Sequence, residues 1–109
     1  MKTLTNKDLF DQSIHRWGIG FQLQMLAEEA SELAVAALHL NRTTKDKTKA
    51  ILSFAEELAD AQFMIDEFMY YFKENDVQGK RFFDLVQQFR ACKELKLEAL
   101  LLKEREPQK

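Results

Sequence analysis

Breakers of regular structure are nearly absent from this chain. Its 109 residues hold three glycines, Gly18, Gly20 and Gly79, and one proline, Pro107. Hairpin turns draw on Gly, Asn-Gly and Asp-Gly pairs, so an all-β protein built on tight turns is ruled against. No segment alternates apolar and polar residues with a period of two. Apolar residues instead recur every three or four positions, the mark of amphipathic helices. The expected fold is all-α, about four helices joined by short connections.

The first helix starts at Thr5, where the string TNKD places a hydroxyl at the cap and a carboxylate three residues on. Leu9, Phe10, Ile14 and Trp17 follow at helical spacing, and Gly18 and Gly20 interrupt it. The second helix is expected over residues 21–40, with an apolar stripe of Leu26, Ala30, Leu33, Ala37 and Leu40, Met25 and Ala34 beside it, and Asn41 as terminator. A polar, mostly basic loop follows. The third helix, capped by Thr43 or Thr44, carries Ile51, Phe54, Ala55, Leu58, Ala61, Ile65, Phe68 and Phe72 and reaches Glu74. The run from Phe68 to Phe72 is apolar around much of the helix, which points to burial on more than one side and a subunit interface. Asn75 and Gly79 mark the next break. The fourth helix spans residues 80–103, with Phe82, Leu85, Val86, Phe89 and Cys92 on one side and Cys92 as a small core residue. Its end, LKLEALLLKE, is apolar enough to need a partner, and the tail REPQK is expected to fray.

Length and charge bound the class. The chain is that of one domain, residues 1–109, and a core this small makes self-association an expectation. Sixteen Lys and Arg against eighteen Asp and Glu leave a net charge of −2, which disfavours general nucleic-acid binding. A single cysteine excludes an internal disulfide and fits a reducing compartment. The N-terminal ten residues lack the apolar stretch of a signal peptide, and no run approaches membrane-spanning length. The expected location is cytoplasmic, with no membrane partner.

Two strings carry the chemistry, AEEASEL at residues 27–33 and AEELADA at residues 55–61. Residues three apart on a helix are neighbours, so Glu29 and Glu32 point one way on the second helix, and Glu57 and Asp60 on the third. Glu29 lies among Met25, Leu26 and Leu33, and Glu57 among Phe54, Leu58 and Ala61, at the edge of the core. A short loop makes the two helices antiparallel, so the pairs can face each other. Two unit charges at close range repel by roughly 4 kcal/mol at an effective dielectric of 20. Four converging acids require protons, bases or a divalent metal, and few bases are interleaved here. A hard cation with oxygen ligands, Mg²⁺ where phosphates complete its coordination, is the expected partner.

These residues resemble the MazG-like all-α nucleoside triphosphate pyrophosphohydrolases. That family's pattern is E-x-x-E, a spacer, then E-x-x-D; Glu29-Ala-Ser-Glu32 matches the first half and Glu57-Leu-Ala-Asp60 the second. The flanks match as well: L-x-E-E-x-x-E-L is Leu26 to Leu33, and E-E-L-A-D is Glu56 to Asp60. The resemblance covers mainly residues 17–68; the fourth helix matches only as a helix.

The resemblance implies a helical bundle acting as a homodimer or a dimer of dimers, with sites near subunit contacts. It implies Mg²⁺-dependent hydrolysis of nucleoside triphosphates, deoxynucleoside triphosphates foremost, between the α and β phosphates, as a house-cleaning activity. Glu29, Glu32, Glu57 and Asp60 would be metal ligands. Glu28 and Glu56 would support a ligand or activate water, or are solvated helix positions. Trp17 would stack on the base or cap the core. Gln22 lies close to where a base or sugar would sit, and His15 would contact a base or phosphate or be structural. Lys45, in the basic cluster with Arg42, Lys47 and Lys49, and Arg81 would contact phosphates or be solvated. His39, seven residues after Glu32, is expected to be a helix-end residue, and Glu67, seven after Asp60, falls outside the motif.

Two rivals are weighed. A di-iron carboxylate bundle requires Glu-x-x-His pairs, and neither His15 nor His39 follows a Glu by three. A non-catalytic helical oligomerisation or nucleotide-binding adaptor explains the apolar fourth helix, but not four acids inside apolar stripes.

Overall fold

A computed structural model describes residues 2–75 and 77–105, with only the backbone of Val77. It contains four helices and, among the described residues, no strand: α1 (Asn6–Trp17), α2 (Ile19–Arg42), α3 (Thr48–Glu74) and α4 (Val77–Glu104). The all-α expectation holds. Among the described residues, no helix is long and apolar enough to cross a membrane. The chain divides into two units, Met1–Tyr71 and Phe72–Lys109.

In the first unit, Thr5 caps α1: its hydroxyl accepts from the Asp8 amide at 3.1 Å and donates to the Asp8 carboxylate at 2.8 Å. Gly18 both ends α1 and opens α2. Its φ of 84° and ψ of 156° lie where glycine alone is comfortable. Gly20 belongs to α2, so the helix begins two residues earlier than the glycines suggested. Asn41 does not stop it. Thr43 does, its amide bonding to the His39 and Leu40 carbonyls and its hydroxyl to His39. Thr43 is therefore a C-terminal cap of α2, not the start of α3. The Asp46 carboxylate takes the capping role at α3, accepting from the amide (3.0 Å) and hydroxyl (2.6 Å) of Thr48.

The helix α2 runs antiparallel to α3. Gln22 and Met25 share a cleft with Phe63, Met64 and Glu67, whereas Ser31 to His39 share one with Ser53 and Glu57. Three buried alanines, Ala36, Ala50 and Ala61, line the seam and allow close approach. The helix α1 packs on α3. Phe10 is buried against the Phe63 ring (centroids 5.2 Å apart) and the Tyr70 ring (5.6 Å). The Tyr70 hydroxyl donates to both oxygens of Asp11, and Ser13 Oγ donates to Glu67 at 2.6 Å.

The packed faces coincide only in part with the expected apolar stripes: Ala61 and Phe68 are buried, and Leu26, Leu33, Ala37, Leu40, Phe54 and Phe72 are half-buried. On α2 the buried residues are Gln22 and Ala36, with Glu29 half-buried between them, while Ala30 and Ala34 are exposed. On α3 the face is Ala50, Glu57, Ala61, Met64, Glu67 and Phe68; Ile51, Ala55, Leu58 and Ile65 are exposed. Phe68 is buried, and Met69 to Phe72 are half-buried.

In the second unit, the Phe72 and Phe82 rings lie 4.3 Å apart, and the Lys73 ammonium sits 5.8 Å from the Phe83 ring. The break before α4 is at Asn75; Gly79 lies inside the helix. Residues 87–105 are all exposed. Cys92 is exposed too, so it is not a core residue. The tail expected to fray lies outside the described residues beyond Arg105.

Candidate metal centre

Seven residues make nearly two full helical turns, so positions seven apart share a face. Gln22, Glu29 and Ala36 follow this spacing along α2, and Ala50, Glu57 and Met64 along α3. The middle member of each row is a glutamate. Glu29 and Glu57 consequently lie in the seam between helices, with Asp60 one turn beyond Glu57.

One carboxylate oxygen from each of Glu29, Glu57 and Asp60 lies within 4.8 Å of the other two. Glu29 and Glu57 are half-buried, and Asp60 is exposed. The Oε2 atoms of Glu29 and Glu57 are shut off from solvent and have no hydrogen-bond partner. Burial of a polar atom without a partner is costly, and here two such atoms are acidic.

Their protonation reflects it. Burial first, then the charges of Glu32, Asp60 and Glu28, pushes the Glu29 carboxyl above the ordinary glutamate range. Glu57 is raised by burial, by a hydrogen bond with Glu32, and by the charges of Glu32, Asp60 and Glu29. Three of the four motif carboxylates form a cluster, and the exposed Glu32 borders the same cleft as Glu57. No Lys, Arg or His pairs with them among the described residues.

The donor set fits a hard divalent cation. Every atom is a carboxylate oxygen, and two of them lack any other partner. Neighbouring oxygens of an octahedral Mg²⁺ lie about 3 Å apart at bond lengths near 2.1 Å, so three carboxylate oxygens within 4.8 Å of one another would draw together to share one ion. His39, whose imidazole would favour a softer metal, is not in the cluster; it ends α2 as expected, its carbonyl bonded to Thr43.

Clefts flank the carboxylates along the seam. One of about 430 Å³ is bounded by Ser13, Trp17, Phe21, Gln22, Met25, Phe63, Met64 and Glu67. One of about 390 Å³ on the other side is bounded by Ser31, Glu32, Val35, Ala36, His39, Ser53 and Glu57.

The sequence-predicted contacts are divided by this geometry. Trp17 and Gln22 line the first cleft. His15 is exposed in the last turn of α1, and Lys45 is exposed in the α2–α3 loop; neither lines a cleft described above. Arg81 is exposed on α4, in the second unit. Glu28 and Glu56 are exposed beside the cluster residues. Ser13 and Glu67 line the first cleft without having been singled out for it. The signal for Glu67 was its position seven residues after Asp60; Ser13 had none.

Comparison with models of known families, with curated proteins and with solved structures gives no match.

Proposed function

We propose that this chain is a Mg²⁺-dependent nucleoside triphosphate pyrophosphohydrolase of the MazG-like type, cleaving between the α and β phosphates and removing unwanted nucleotides, deoxynucleoside triphosphates foremost. One observation carries the reading: Glu29 and Glu57 face each other across the seam with Asp60, each with an oxygen that is buried and unpartnered. Acids placed so are unfavourable in the metal-free chain and find their partner in a divalent cation.

Glu29, Glu32, Glu57 and Asp60 would hold the metal. Bound Mg²⁺ neutralises phosphate oxygens and acidifies water. In the reaction the water oxygen bonds to the α-phosphorus, and the bridging bond to the β-phosphate breaks. Pyrophosphate leaves with that electron pair, and the water proton passes to a carboxylate. Glu28 and Glu56 are the proposed acceptors or orienting groups. The seam offers room on both sides of the acids, and the basic loop with Lys45 lies at the end of α2 beyond His39.

The chain is further proposed to assemble as a dimer or dimer of dimers. Leu23, Val35, Leu38, Leu52, Leu58 and Ile65 are exposed on α2 and α3, and Leu95, Leu97, Leu100 and Leu102 on α4. The same surface favours a second reading, a non-catalytic oligomerisation module.

The deciding experiment incubates the protein with Mg²⁺ and a panel of ribo- and deoxyribonucleoside triphosphates, resolving products by chromatography, with Glu57→Gln in parallel. Monophosphate plus pyrophosphate, absent in the variant, supports the hydrolase. No turnover favours the oligomerisation module, and release of single phosphate overturns the bond assignment.

A further inference from the structure

The helix α4 exposes apolar residues in one register. Residues 87–105 are all exposed, Leu95, Leu97, Leu100, Leu101 and Leu102 among them, whereas the start of the helix is engaged, with Phe82 against Phe72. Leucines gathered this way on one exposed helix end are more than scattered surface residues. A seam between two helices repeats every seven residues at two positions, a and d. Over residues 82–105 one of the seven possible registers keeps charge out of every such position: Leu85, Cys92 and Ala99 at a, with Gln88, Leu95 and Leu102 at d. Every other register puts Asp, Glu, Lys or Arg into the seam.

Charge says what covers that face and in which direction. The g positions beside the seam hold Asp84 and Glu98, with Arg105 past the last leucine; the e positions hold Phe89, Lys96 and Lys103. In a parallel pair the e flank of one helix meets the g flank of the other, whereas in an antiparallel pair like flanks meet. Two parallel copies therefore set Lys103 of each beside Glu98 of the other, and antiparallel copies would bring lysines to lysines. The flanking charges are available for this: Glu98, Lys96 and Lys103 make no ion pair or hydrogen bond among the described residues. Arg90 and Glu94, which do pair at 3.1 Å, stand at f and c on the outer side of the helix.

We infer that α4 is a self-association arm: residues 85–102 of two copies of this chain pair side by side, parallel and in register. This rests on the proposed assembly and deepens it by naming the face and its direction; the family resemblance, which covers mainly residues 17–68, does not reach this helix. Leu85, Leu95 and Leu102 supply the apolar contact, and the small Cys92 and Ala99 let the two backbones approach. Gln88 meets Gln88 of the second copy, where each amide both donates and accepts. A slipped pairing would set that amide against an apolar side chain, so Gln88 holds the register, as a single polar seam residue does elsewhere. Leu97 and Leu101 fall at f and c and lie outside the seam.

The test uses the full chain, with mass read by light scattering and helicity by circular dichroism. Leu95→Glu and Leu102→Glu, each placing a charge in the seam, are expected to raise the dissociation constant about tenfold or more. Leu97→Glu, on the outer side, is expected to leave it unchanged. Glu98→Lys is expected to weaken the assembly, and Glu98→Lys with Lys103→Glu to restore it. Cross-linking reads the direction. Diamide, which takes up two electrons and two protons, is expected to join Cys92 to Cys92 of the second copy, since a disulfide needs Cα atoms within about 7 Å. Gln88→Cys in a Cys92→Ser chain is expected to cross-link as well; in an antiparallel pair centred on the seam residue 88 lies opposite Ala99 and does not. A parent that is monomeric removes the seam and the proposed assembly together. An assembly that survives both seam variants, dissociates with Leu97→Glu, or fails to cross-link at residues 88 and 92 overturns the seam and leaves assembly through another face standing.

Discussion

Glu29 on α2 and Glu57 on α3 each turn one carboxylate oxygen into the helix seam, where it meets neither solvent nor a hydrogen-bond donor. A chain selected only for stability would fill these two positions with apolar residues. Retaining acids there makes the seam a poor core and a good ligand cage, and most of the expected behaviour follows from that exchange.

Glu57→Gln is expected to raise the melting temperature of the metal-free protein, because it removes a charge held among Glu29, Glu32 and Asp60. The same variant is expected to lose its response to Mg²⁺ and at least about a hundredfold in turnover. The parent gains about 2.7 kcal/mol when Mg²⁺ stands at a hundredfold excess over its dissociation constant. Calorimetric melts of both proteins, with and without Mg²⁺, check the pair of effects. A variant less stable than the parent without metal and still responsive to it would refute the assignment.

The raised carboxyls set a pH dependence of definite sign. Glu29 and Glu57 bind protons more tightly folded than unfolded. Between the ordinary glutamate value and their raised values the folded state therefore holds more protons, and stability falls as pH rises through that window. Above it the curve is flat. Asp46 acts in the opposite sense: Thr48 holds its carboxyl below the ordinary range, so its contribution is lost only as pH falls further. Saturating Mg²⁺, which takes the ionised carboxylates, is expected to abolish the decline. Urea titrations across the acidic range measure the slope.

Much of this was readable from the residues, and the exceptions share a cause. Scarce breakers and three-to-four periodicity foretell four helices, and the two acid pairs foretell their own convergence. The apolar stripes mark the packed faces only in part, because they weight large side chains. Leu58 and Ile65 stay exposed, while the small Ala36, Ala50 and Ala61 occupy the line of closest approach. Gln22 and Glu67 count against burial on any hydropathy scale, yet they are among the most buried residues. Thr43 and Asp46 compete to bound one loop, and only backbone geometry decides which caps which helix.

Phe10 holds α1 to α3 through Phe63 and Tyr70 and is buried in a sparse core. Phe10→Ala is expected to cost about 3–5 kcal/mol. Ser13 reaches Glu67 from the same helix, so loosened docking of α1 also opens the 430 Å³ cleft. Urea unfolding followed by circular dichroism measures the first effect. Faster amide exchange in α1 than in α2 measures the second.

The two glycines at the α1–α2 junction predict opposite responses to one methyl group. A Cβ at either meets no atom within 4 Å, so packing does not distinguish them. Backbone does. Gly18 sits at φ 84° and ψ 156°, a region that costs another residue about 1–3 kcal/mol. Gly20 lies within α2, where Ala is favoured over Gly by about 0.8–1.0 kcal/mol. Gly18→Ala is therefore expected to destabilise the protein and Gly20→Ala to stabilise it. Equilibrium denaturation of the two variants reads both signs, and equal responses would mean that the chain does not turn at Gly18.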